Sequence, residues 1–209
     1  DGVGFNGWPF PNYQSVGYAI TDRAAGGDPS IVGWIRRIHG QSPNRLPMRW
    51  TPGDAEATTV GTDYGWLLDV TTSGYLAGQV APGNSWEAIL WAPDGTRLSL
   101  GPTAGSADGI AVNESGDMVF ATAGGDIVIY HASTGELEDT GIDGFPADIN
   151  ASGQIAGYYY DGSDFRGFVR DPDGGITILP HWYDAYGASP AAINDAGHVV
   201  GTAMVQTSP

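Results

Sequence analysis

Five near-copies of one short pattern run through this chain of 209 residues, and they constrain its fold more than any other feature. The clearest copies read ADINASGQIAGY (147–158) and AAINDAGHVVGT (191–202). IAVNESGDMVFA (110–121) and LDVTTSGYLAGQ (68–79) are close variants, and a fifth copy is split into AIT (19–21) and SIVGW (30–34). The closing positions read as Gly33, Gly78, Ala121, Gly157 and Gly201, in steps of 45, 43, 36 and 44 residues. A period of this size is the mark of a propeller or a solenoid, in which each repeat buries its faces against its neighbours.

One repeat shows the plan. Residues 147–150 are a short apolar stretch, and Asn150-Ala151-Ser152-Gly153 is a tight turn. Asn can accept from its own backbone two residues on, and Gly adopts a positive φ without steric cost. Residues 154–160 form a second strand and residues 167–170 a third. Asp171-Pro172-Asp173-Gly174 is a second turn, followed by a fourth strand at 176–179. Third strands recur as AILW (88–91), IVIY (127–130) and PMRW (47–50), and helical periodicity is absent. A four-stranded unit of about 42 residues is the size of a propeller blade. The expected fold is therefore all-β, a five-bladed β-propeller of antiparallel meanders in one domain. Its repeats fall at approximately 14–60, 64–100, 106–138, 145–179 and 188–205. The last repeat carries only two strands. Residues 1–13 are expected to add an outer strand to it; the alternatives are a blade left incomplete, or one completed by residues outside this segment or by another subunit in a homo-oligomer.

These residues resemble the HAF repeat family of bacterial extracellular proteins. Its pattern is an A-x-D-I-N-x-x-G-x-I-V-G box, then H-A-F-L-W and a D-G turn. The first box is matched at 147–157 and 191–201, the second more loosely at 87–91 and 166–170. Glu87 and Arg166 stand where the family has His, which argues against a shared His-dependent chemistry. The resemblance implies an exported β-propeller-like protein, extracellular or at the bacterial cell surface. It implies no catalytic residue.

Charge narrows the partners. The chain has 19 Asp, 5 Glu, 8 Arg and no Lys, for a net charge of −16. Such a surface repels polyanions, so nucleic acid and anionic membrane are poor partners. No run of 18 apolar residues is present, so membrane insertion by a helix is not expected. The absence of Cys excludes disulfides and thiolate metal sites. The chain opens at Asp1 rather than Met, which points to a processed segment whose missing part carried an export signal.

The meander also sorts the loops. Both kinds of regular turn fall at one end of the blades. The other end carries long irregular segments at 35–46, 80–87, 159–166 and 181–190. Binding residues concentrate on such loops, held by a rigid scaffold. These segments are aromatic, with Trp182, Tyr183 and Tyr186 around Asp184, and with Trp86 and Trp66 in the second repeat. Rings beside Asp, Asn and Arg suit sugars; the alternative is that they pack between blades. Arg36 and Arg37, with His39, offer forked donors for a carboxylate or salt bridges to Asp22 and Asp28. The candidate ligand-binding set is thus Trp182, Tyr183, Asp184, Tyr186, Trp86, Trp66, Arg36 and Arg37.

Enzyme signatures are weak. His39, His131, His181 and His198 lie in different repeats without metal-ligand spacing, and no nucleophile elbow is present. A glycosidase pair could be drawn from Asp184, Asp161 and Asp63. No cofactor is expected, and calcium at Asp161-Gly162-Ser163-Asp164 departs from the EF-hand pattern. The leading expectation is an exported, lectin-like binding module for carbohydrate or an extracellular protein ligand. The alternatives are a polysaccharide hydrolase or lyase with acidic residues in the central funnel, and an assembly subunit.

Overall fold

The computed structural model describes residues 13–21, 29–37, 45–51, 53–54, 56–103, 105, 109–180 and 185–205. The described chain is all strand and turn. Blade one consists of β1 (Tyr13–Ile20), β2 (Ile31–Arg37), β3 (Leu46–Trp50) and β4 (Thr58–Thr59). Blade two consists of β5 (Tyr64–Val70), β6 (Leu76–Ala81), β7 (Glu87–Trp91) and β8 (Arg97–Pro102). Blade three is β9 (Ile110–Val112), β10 (Met118–Ala121), β11 (Asp126–His131) and β12 (Glu136–Asp143). Blade four is β13 (Phe145–Ile149), β14 (Ile155–Tyr160), β15 (Phe165–Arg170) and β16 (Ile176–Ile178). Each blade is an antiparallel meander in sequence order.

The structure corrects the blade count. Among the described residues there are four four-stranded blades, not five. The fifth repeat supplies one hairpin, β17 (Ala185–Ile193) and β18 (Val199–Val205). Its only ladder contact with blade four is a parallel bridge between Phe165 and Gly187. Among the described residues β18 pairs with β17 alone, and Val200 is 64% exposed where the matching strands β6 and β10 are buried. Tyr13 opens β1 opposite Arg37, and the rest of the expected outer strand, residues 1–12, lies outside the described residues.

The core lies between blades. Val32, Leu67, Leu76, Ile89 and Trp91 fill the space between blades one and two. Leu90, Ile110, Met118 and Phe120 fill the next interval. Val119, Ile127, Ile155 and Phe168 fill the third. Alternate residues of one strand thus serve opposite neighbours, as the two-residue period of a strand requires. Burial of each such side chain stabilises by about 1.5–3 kcal/mol.

The repeat glycine has a packing cause. A Cβ on Gly33, Gly78, Gly157 or Gly201 would come within 1.8, 2.3, 2.7 and 2.3 Å of the carbonyl oxygens of Val16, Trp66, Phe145 and Ser189. Each of those oxygens lies beside a register shift in the first strand of its unit. Blade three has no such shift: Ile110 faces Phe120 directly in a three-residue strand. Register therefore aligns Phe120, not Ala121, with the glycines, and its side chain fills the core instead.

Candidate functional site

The two ends of the blades are built differently. At the turn end, Asn113 of blade three and Asn150 of blade four each close their own turn and reach the next. Asn150 Oδ1 accepts from the amides of Ser152 and Gln154 at 3.1 and 2.9 Å. Asn113 Nδ2 donates to the Asn150 carbonyl at 3.2 Å, and Asn150 Nδ2 donates to the Asn194 carbonyl at 3.0 Å. Carboxylates repeat the device. Glu114 accepts from the amides of Thr72 and Ser73 in the preceding blade, at 2.7 and 2.9 Å. Asp195 accepts from Ala151 at 2.9 Å. These bonds consume the polar groups of the turns and hold neighbouring units in register.

The inner strands β5 and β13 add one buried carboxylate each. Asp69 accepts from Val70 and, at 2.9 Å, from Val112 of the next blade. Asp148 accepts from Ile149 and, at 2.8 Å, from Ile193 of the hairpin. Burial pushes the Asp69 carboxyl up to about 6 against the pull of those amides, and raises Asp148 likewise. Perturbed carboxyls mark functional-site candidates. Here each oxygen already holds a backbone amide, so these groups are ties between blades rather than free acids.

The opposite end is aromatic. Trp66, near the start of β5, faces Gln79, and its ring centroid lies 4.6 Å from that of Trp86 in the loop before β7. Tyr64 completes the group at 6.0 Å from Trp66 and 5.4 Å from Trp86. Trp86 rests on Gly105, where a Cβ would fall 2.2 Å from its ring. From blade one, the Arg45 guanidinium lies 4.7 Å from the Trp34 ring centre and 5.7 Å from that of Trp66. Trp66 is 6% exposed, and its indole Nε1 has no hydrogen-bond partner among the described residues.

Blade four repeats the arrangement with different rings. Phe145 faces Tyr158 as Trp66 faces Gln79, and the two rings stack at 5.3 Å. Phe165 stands 5.7 Å from Tyr158 and 5.5 Å from Tyr160. Tyr160 is 59% and Phe165 38% exposed. Blade three carries Gly109, Ala121 and Gly125 at the corresponding places, so the aromatic positions alternate with a small-residue gap.

The sequence-predicted set is brought together only in part. Trp66 and Trp86 meet, but Trp66 is too buried to be a contact surface and instead supports Trp86. Arg36 and Arg37 end β2, with backbones paired to Gln14 and Tyr13. Tyr186 lies in β17, and Trp182, Tyr183 and Asp184 fall outside the described residues. The carboxylates considered for catalysis are engaged separately. Asp63 pairs with Arg97 at 3.1 Å, and Asp161 with Arg166 at 2.6 Å. Asp161 also accepts from Ser163 and Asp164, and the Arg166 bond holds its carboxyl well below the usual carboxylate range. The considered calcium loop is thus closed on an arginine. Sequence reasoning missed Arg45, Phe165 and Tyr160. The available signal was position: Arg45 precedes its third strand as Trp86 precedes β7.

Comparison with known proteins supports the fold. No protein-family model matches this chain, and no curated protein sequence matches it. Among solved structures it is similar to TolB from Acinetobacter baumannii, at 14% identity and a TM-score of 0.64 over 86% of this chain and 48% of TolB. It is similar to a streptogramin B lyase at 13% identity and a TM-score of 0.51, over 94% of this chain and 74% of the lyase. Porphyromonas gingivalis dipeptidyl peptidase 4 gives 9% identity and a TM-score of 0.51, over 82% of this chain and 31% of the peptidase. The chain spans about half the length of TolB (48%). At these identities the likeness carries the β-propeller fold alone.

Proposed function

We propose that this β-propeller is an exported binding module whose aromatic end recognises carbohydrate. The observation that carries this reading is the aromatic grouping around Trp86, repeated in kind at Phe165 and Tyr160 of blade four. Partly exposed rings offer flat apolar faces to the C–H face of a sugar, while Tyr hydroxyls and Arg donors take its hydroxyl groups. The turn end favours no ligand, because its polar groups already bond one another. Export rests on the resemblance of the repeats to extracellular proteins. A hydrolase reading receives less support, since Asp63, Asp69, Asp148 and Asp161 each hold a protein partner.

The test is a glycan array followed by titration calorimetry on the wild type and Trp86→Ala. The expected outcome is binding to at least one saccharide class, weakened tenfold or more by the substitution with unchanged far-UV circular dichroism. Absence of binding to every saccharide, or equal binding by the folded variant, overturns the proposal.

A further inference from the structure

The five arginines whose side chains are described separate into two kinds. Arg97, Arg166 and Arg170 each meet a carboxylate, Asp63, Asp161 and Glu138 respectively, and Arg49 donates to Ser30 Oγ at 3.0 Å. Arg45 does neither. Among the described residues its guanidinium is held by the Trp34 and Trp66 rings, and no described carboxylate pairs with it. Its backbone is fixed, because the Arg45 carbonyl accepts from the Gly65 amide at 3.1 Å and so ties blade one to the inner strand β5.

Ring faces stabilise a cation without using its N–H groups. A guanidinium carries five N–H donors in a planar fork, which matches a carboxylate in two parallel bonds. Asp63 stands two residues before Gly65, the residue bonded to the Arg45 carbonyl, and its Oδ2 is engaged by Arg97. Among the described residues Arg45 is therefore a positioned cation with unspent donors, joined through the Trp66 ring to the partly exposed Trp86 and Tyr64.

We infer that this corner binds an acidic saccharide, with Arg45 gripping a sugar carboxylate while Trp86 packs on the ring that carries it. The inference rests on the carbohydrate reading above and names the sugar class. It also explains how a chain of net charge −16 could hold an anion: the attraction is local and short-ranged, whereas the repulsion comes from distant charges screened by salt.

The probes are oligogalacturonate and its methyl ester, which differ in the carboxylate and not in the chain of sugars. Calorimetry on the wild type should show the acid bound at least tenfold more tightly than the ester. Arg45→Gln, which keeps a polar side chain of similar reach, should erase that preference, and Trp86→Ala should weaken both probes. Equal binding of acid and ester by the wild type overturns the inference and leaves the carbohydrate reading standing. Binding of neutral glycans only does the same. Failure to bind any saccharide removes both. The comparison of acid with ester needs no variant, so it holds even where Arg45→Gln unfolds.

Discussion

The two ends of this propeller are made from the same repeats and spend them differently. At the turn end, the side chains of Asn113, Asn150, Glu114 and Asp195 reach from one unit to the next, and their polar atoms are used up in doing so. At the other end, Trp86, Phe165 and Tyr160 lie on or beside loops and keep part of their surface in water. The most repetitive residues are thus the most heavily bonded, and the residues that vary between blades are the ones left over for a ligand. The difference teaches that in a repeat fold regularity marks stability, while departures from it mark recognition.

That division can be broken most directly at Asn150. Asn150→Ala removes the acceptor for the Ser152 and Gln154 amides and the donor to the Asn194 carbonyl. Loss of three part-buried hydrogen bonds costs about 1–3 kcal/mol. Urea unfolding should show that loss as a lower midpoint. Saccharide affinity of the folded variant should stay within twofold of the wild type. A stable Asn150→Ala that no longer bound sugar would place recognition at the wrong end.

The buried carboxylates sharpen the same contrast through pH. Folding raises the Asp69 carboxyl from 3.8 to about 6, so the folded protein holds that proton more tightly than the unfolded chain. The corresponding stability is present below pH 4 and is lost as the pH rises through 6. A shift of this size is worth up to about 3 kcal/mol. Asp69→Asn removes the titration and adds a constant offset from the exchanged amide. Plotted between pH 4 and 7, the stability of the wild type relative to the variant should therefore fall with rising pH. A flat difference would mean that the amides of Val70 and Val112 outweigh burial.

The scaffold was legible because turns and strand alternation are local. Asn150 through Gly153 announces its turn by residue type, and Gly153 takes the expected positive φ of 82°. The bulges were not legible, since a carbonyl of Trp66 pressing on Gly78 is a contact between strands. The alignment of Phe120 rather than Ala121 with the repeat glycines was legible, since Phe120 lies four residues after Gly116 as Gly157 does after Gly153. The fifth blade failed for a related reason: a repeat motif reports its own hairpin, β17 and β18, and says nothing about strands three and four. At the site, Trp86 could be found by its loop. Arg45 shares that position before its third strand, but its isolation from every described carboxylate is a property of three-dimensional packing and was not legible.

The smallest expected stability effect is also the finest test of the aromatic end. Gly105 has a φ of 75°, and a methyl group there would press within 2.2 Å of the Trp86 ring. Gly105→Ala changes no ring and no charge. The backbone strain of a left-handed Ala is about 1–2 kcal/mol, which thermal unfolding would record as a modest drop in midpoint. The side chain of Trp86 must tilt to make room, moving it off Trp66 and Tyr64, and saccharide affinity should fall several-fold. A fall in affinity larger than the stability loss can explain would tie recognition to the pose of Trp86. Unchanged affinity would assign the sugar instead to Phe165 and Tyr160 on blade four, where no residue has been altered and the exposed faces are greater.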